Sequence, residues 1–152
     1  MKKTRLVVAG LALAALTAVG ASTAAYAHHA FAAEFDADAP VLLKGKVVTV
    51  EWVNPHTWIH INVPDTDGKG KAKAGTTYNW AIEGGTPNTL LRRGLTRNSL
   101  PEGTEIVVDG YRAKNGSNRA NGRDVTFPDG RKLFMGSSGT GAPRDGRDAS
   151  EK

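Results

Sequence analysis

The residues best equipped for chemistry are four histidines in two pairs, His28 with His29 and His56 with His60, in a chain without cysteine. His28 and His29 follow Ala25-Tyr26-Ala27, a small-x-small pattern of the kind a signal peptidase cuts after. Cleavage after Ala27 makes His28 the first residue, and its α-amine and imidazole then chelate one metal from a single residue. A second imidazole completes a three-nitrogen, T-shaped set that suits Cu(II). His56 is the simplest source of it; His29 and His60 are the others, and Glu51 or Glu83 offers a carboxylate. A plainer account leaves His28-His29 as solvated chain and His56 as a hydrogen-bonding partner of its own turn.

Spacing narrows the choice. In a straight strand His56 and His60 share a face, but at about 3.3 Å per residue their Cα atoms lie roughly 13 Å apart. Two imidazoles at that separation do not share a metal. His56 stands beside the Asn54-Pro55 turn, where an N-terminal arm can reach, and is the better partner for His28. The local arrangement resembles the histidine brace of copper-binding periplasmic proteins and copper oxygenases, a likeness of motif and not of fold. His60 reads as a surface or groove residue. With Trp58 it offers a second kind of site, a metal-free face for a protein or small ligand. Trp52, Trp58 and Trp80 can form an aromatic platform, though core packing is the plainer role, and Trp58 is the one expected to be exposed. Arg92, Arg93, Arg97, Arg112 and Arg119 can line an anion site or simply face solvent.

Enzyme chemistry has little to stand on. No serine falls in a Gly-x-Ser-x-Gly turn, and Gly68-Lys69-Gly70-Lys71 lacks the length of a phosphate-cradling loop. The carboxylate pairs Asp36/Asp38 and Asp65/Asp67 read as surface turns. A copper-dependent oxidase-like activity is the weakest of the three readings.

The chain's beginning fixes a location. Lys2, Lys3 and Arg5 precede an apolar run over residues 6–20, too short to span a bilayer comfortably, so residues 1–27 read as a cleavable signal peptide and the protein as periplasmic. Discounting those three cations lowers the formal charge from +5 to +2. A surplus that small argues against nucleic acid as a partner and gives little reason to expect tight binding to anionic lipid. Residues 136–152 are Gly, Ser, Asp, Arg and Lys with almost nothing apolar, which predicts a disordered tail. Residues 28–135 remain as one domain with a single core.

The elements that must position the histidines read as strands. Residues 41–53 form one long strand rich in β-branched residues, with Val48, Val50 and Trp52 on one face and a bulge or bend at Gly45. After the Asn54-Pro55 turn, Thr57, Ile59, Ile61 and Val63 make a core stripe opposite His56, Trp58 and His60. A third strand, residues 76–83, puts Tyr78, Trp80 and Ile82 opposite Asn79, Ala81 and Glu83. Thr86-Pro87 starts a short helix that Gly94 ends, and residues 95–100 add another helical turn. A fourth strand follows over 104–113, then a polar loop to about Gly122, a fifth strand at Val125 and Phe127, and a hairpin return over 132–134. Three strands, a helix and two or three more strands predict an all-β fold with one short helix, an OB-like five-stranded Greek-key barrel; a small antiparallel sandwich is the alternative.

Several of these motifs occur together elsewhere. His28-His29-Ala30-Phe31, Glu34-Phe35-Asp36, Glu51-Trp52-Val53-Asn54-Pro55-His56, the run from Asn88 to Asn98, Gly110-Tyr111-Arg112-Ala113-Lys114 and Pro128-Asp129-Gly130-Arg131 resemble a family of small exported bacterial proteins of unknown function. The resemblance implies a periplasmic OB-like domain and no activity. The expectation is therefore a non-enzymatic periplasmic binding or accessory module, with copper at His28 and His56 as the first hypothesis.

Overall fold

The computed structural model describes residues 31–66 and 72–136; the expected signal segment, His28, His29 and residues 137–152 lie outside the described residues. Six strands form one sheet: β1 (Phe35–Glu51), β2 (Trp58–Thr66), β3 (Ala72–Glu83), β4 (Glu105–Ala113), β5 (Arg119–Thr126) and β6 (Lys132–Phe134). A helical turn over 31–34 precedes β1, and helix α1 (Pro87–Arg92) joins β3 to β4. The strand order is β3-β2-β1-β4-β5-β6, and every neighbour in that order is antiparallel. One further pairing, β3 with β5, is parallel and closes the sheet into a ring through Ala81, Ile82 and Glu83 against Arg119, Ala120 and Asn121.

β1 is long because it serves two partners, β4 from Phe35 to Lys46 and β2 from Lys46 to Glu51. It begins six residues earlier than its β-branched run suggests. The register breaks between Phe35 and Pro40, where the Asp36 carboxylate accepts a hydrogen bond from the Asp38 amide, an Asx-type turn within an acidic stretch. The expected bulge lies between Val47 and Thr49, not at Gly45. It changes which parity faces the core: Leu43 and Val47 are buried before it, and Val50 and Trp52 pack on the core after it. Gly45 has another role. A Cβ there would stand 2.6 Å from the Asn62 carbonyl oxygen, so only glycine lets β1 and β2 approach that closely.

The core stripe follows the alternation, with Thr57 just before β2 and Ile59 and Ile61 within it fully buried, while Val63 packs only partly on the core. Trp80 and Ile82 of β3 face the same interior, while Tyr78 is exposed. Thr86 caps α1, its hydroxyl accepting from the Thr89 amide at 3.2 Å, and Pro87 occupies the first helical position, where its missing N–H costs nothing. Leu90 then reaches the core, and Gly94 ends the helix with φ of 87°. Residues 95–100 make a hydrogen-bonded turn, Ser99 amide to Thr96 carbonyl, that delivers Leu95 and Leu100 to the core without helix. Among the described residues no helix is long and apolar enough to cross a membrane.

A second, smaller apolar cluster sits outside the main core. Phe35 is buried against Ala113, and the ring of Phe31 stands 5.9 Å from Phe35 and 5.7 Å, edge-on, from Tyr111. The Lys114 amide and ammonium donate to the Glu34 and Ala32 carbonyls. The N-terminal segment is thereby pinned to β4.

Candidate functional site

The site is assembled by register. Across β1, β2, β3 and β5, Glu51 pairs with Trp58, Trp58 with Glu83 and Glu83 with Asn121. The next row, Val50, Ile59, Ile82 and Ala120, faces the core. The row after that is Thr49, His60, Ala81 and Arg119. Because side chains alternate across a sheet, the first and third rows share the outer face. Trp58, Glu83, Asn121, His60, Glu51 and Arg119 are therefore neighbours by construction.

His56 is brought to this face by the backbone of its neighbour. The Thr57 amide donates to the Gly85 carbonyl at 3.0 Å and the Gly84 amide donates to the Thr57 carbonyl at 2.8 Å, locking residue 57 onto the chain just after Glu83. Gly84 and Gly85 are small because Met135 and Gly136 cross them: added Cβ atoms would stand 3.1 Å from Met135 Cε and 3.2 Å from the Gly136 carbonyl oxygen. With that clamp closed, His56 Nδ1 stands 3.4 Å from Glu83 Oε1. The pair lies within ion-pair distance for a protonated ring but does not meet hydrogen-bond geometry. Nδ1 is buried without a hydrogen-bond partner among the described residues, although 39% of the side chain is exposed.

Glu83 is only 8% exposed. Burial pushes its pKa above the ordinary carboxylate value, and the nearby Glu34 carboxylate adds to the rise; a cationic His56, Arg119 and a long hydrogen bond from Asn121 Nδ2 at 3.5 Å pull the other way. Asn121 itself is 1% exposed, and its Oδ1 has no partner among the described residues. Arg119 links the remaining parts. Its guanidinium stands 4.8 Å from the centre of the Trp58 ring, and its Nη1 lies 2.6 Å from the carboxylate of Glu34 on the N-terminal segment.

Glu51 does not reach His56. It pairs with His60, Nε2 to Oε1 at 2.9 Å, so the two β2-side histidines each have their own carboxylate. The three tryptophans do not make one platform: Trp58 lies on the outer face, Trp80 faces the core, and Trp52 packs partly on the core. The arginines are dispersed as well. Arg93 donates to the Gly136 carbonyl, Arg112 donates to the Gly116 carbonyl and stands over Trp80, and Arg92 and Arg97 are exposed. Among the described residues no three His, Asp or Glu side chains converge as a metal-holding group.

Sequence reasoning singled out His56 and named Glu83, but left Asn121 in a loop, Arg119 among five arginines and Glu34 in an acidic arm. Their shared position depends on the β3–β5 closure, which leaves no local signal.

Residues 15–122 match the family described as a family of unknown function (DUF6152). The chain belongs to that family. The matched span contains Glu34, His56, Glu83, Arg119 and Asn121. No curated protein and no solved structure matches the chain.

Proposed function

We propose that this DUF6152 member is an exported, periplasmic, non-enzymatic copper-binding or accessory protein, whose ring-shaped sheet is an OB-like barrel and whose metal site joins the mature His28 terminus to His56. The observation that carries the reading is His56 Nδ1 turned inward to Glu83 on a side chain that is otherwise partly exposed. Metal-binding histidines characteristically present one ring nitrogen outward while a carboxylate orients the other, which fixes tautomer and ring angle. His56 and Glu83 approach that relation, with Nδ1 3.4 Å from the carboxylate and not yet hydrogen-bonded to it. Glu83 then acts as the orienting group and Nε2 of His56 as the ligand.

The arm supplies the rest. Glu34 is tied to Arg119 on the same face, and His28 precedes Phe31 by three residues, a reach of up to about 10 Å in extended chain. The α-amine and imidazole of His28 add two nitrogens to that of His56, a set suited to Cu(II). The metal-free alternative, a ligand face at Trp58 and His60, has less support, because Arg119 already stacks on Trp58 and Glu51 already holds His60.

The test is a Cu(II) titration of protein recovered from a periplasmic preparation, its terminus checked by intact mass. The proposal expects a chain beginning at His28 that binds at least about a hundredfold more tightly than the same chain with an added N-terminal Met. A mature chain beginning at Phe31, or equal affinity in the two forms, overturns it.

A further inference from the structure

Among the described residues four buried side-chain polar atoms have no hydrogen-bond partner, and two of them, His56 Nδ1 and Asn121 Oδ1, belong to the residues that flank Glu83. A buried polar atom left unpaired costs free energy, so two of them beside one buried carboxylate call for an occupant. The spacings say of what kind. Glu83 Oε1 stands 3.4 Å from His56 Nδ1 and 3.5 Å from Asn121 Nδ2, both long for a hydrogen bond. A tetrahedral metal with bonds of about 2.1 Å holds its ligand atoms about 3.4 Å apart. Both gaps match that edge. A half-turn of the Asn121 amide exchanges Nδ2 for Oδ1, giving up one 3.5 Å hydrogen bond and turning an oxygen donor toward the carboxylate. Charge agrees with spacing. Arg119 lies near Glu83 but is paired with Glu34 at 2.6 Å, and Glu34 is itself a second carboxylate near Glu83, so the protein's own groups offset the buried charge only in part.

We propose that Glu83, Nδ1 of His56 and the amide oxygen of Asn121 form a binding site for Zn(II), with water as the fourth ligand. Register and clamp hold the donors in place before metal arrives: Glu83 pairs with Asn121 across β3 and β5, and the Thr57 hydrogen bonds to Gly84 and Gly85 deliver His56. Only two donors are of the His, Asp and Glu types, in keeping with the lack of a three-residue cluster of those types among the described residues. The site needs nothing N-terminal to Phe31. It goes beyond the copper reading, which uses Nε2 of the same ring.

The experiment measures Zn(II) affinity, by competition with a chelator of known strength, and the urea midpoint with and without Zn(II). It compares the mature chain with the double variant H28A/H29A and with E83Q, H56A, N121D and N121L. The double variant is expected to bind as wild type does. E83Q, which keeps the shape of the side chain, and H56A are expected to lose about tenfold or more in affinity and with it the Zn(II)-dependent rise in urea midpoint. N121D, which places a carboxylate oxygen where the amide stands, is expected to bind more tightly than wild type and N121L more weakly. No Zn(II)-dependent rise in the wild-type midpoint overturns the proposal. Affinity lost in H28A/H29A but kept in E83Q assigns the metal to the N-terminal pair and also overturns it. A folded N121D that binds no more tightly than wild type removes Asn121 as a donor and overturns the site as proposed. The copper reading is tested separately, by the Met-extended chain.

Discussion

Burying Glu83 against Asn121 and His56 makes the folded protein hold that proton more firmly than the unfolded chain does, since its pKa rises above the ordinary 4.5. The sign follows from linkage. The group's stabilising contribution is complete below the unfolded value and is lost as pH rises through the raised folded value, because ionised Glu83 is then confined where water does not solvate it. Glu83→Gln keeps the shape and the contact with Asn121 but cannot ionise. Metal-free wild type and E83Q should therefore have similar urea stabilities near pH 4, with wild type falling behind as pH rises past the folded value. Parallel pH profiles would contradict the account. Of the site residues, His56 was legible because Pro55 marks the turn that precedes it, and Glu83 because it ends an alternating strand. Asn121 was not, since a buried amide in the sequence Arg-Ala-Asn-Gly-Arg looks like loop composition.

Alternation exposed the strands that are apolar on one face and polar on the other. Thr57 just before β2, Ile59 and Ile61 within it, and Trp80 and Ile82 in β3 fall into this class, and their burial follows the pattern. β1 was harder. Its bulge between Val47 and Thr49 switches parity within a run of β-branched residues, so a single face cannot be read through it. β5 was harder still, because it buries Ala120, Asn121 and Gly122 in place of large apolar residues. Close backbone approach explains the small residues there. A Cβ on Gly110 of β4 would collide with the backbone carbonyl oxygen of Asn121, which cannot swing away as a side chain can. Gly110→Ala is thus expected to cost about 3 kcal/mol, at the upper end for overpacked cores, read as a lowered urea midpoint. A change below about 0.5 kcal/mol would mean that β4 and β5 are not packed as described.

At the scale of the whole molecule, the parallel β3–β5 pairing is the feature that makes the site. It brings Glu83 beside Asn121 and Ala81 beside Arg119 across 38 positions of sequence, a long-range contact with no local cue. The same closure presents one outer face on which the N-terminal arm, the turn after β1 and the ends of β3 and β5 meet. The arm is held there by Phe31, Phe35 and the Glu34–Arg119 pair, and the turn by the Thr57–Gly84–Gly85 clamp. The central claim, that His28 and His56 bind copper together on this face, is tested most directly by electron paramagnetic resonance of the mature protein loaded with one equivalent of Cu(II). The account predicts hyperfine structure from three nitrogen donors in wild type and from two in His56→Ala; an identical pattern in the two proteins would contradict it.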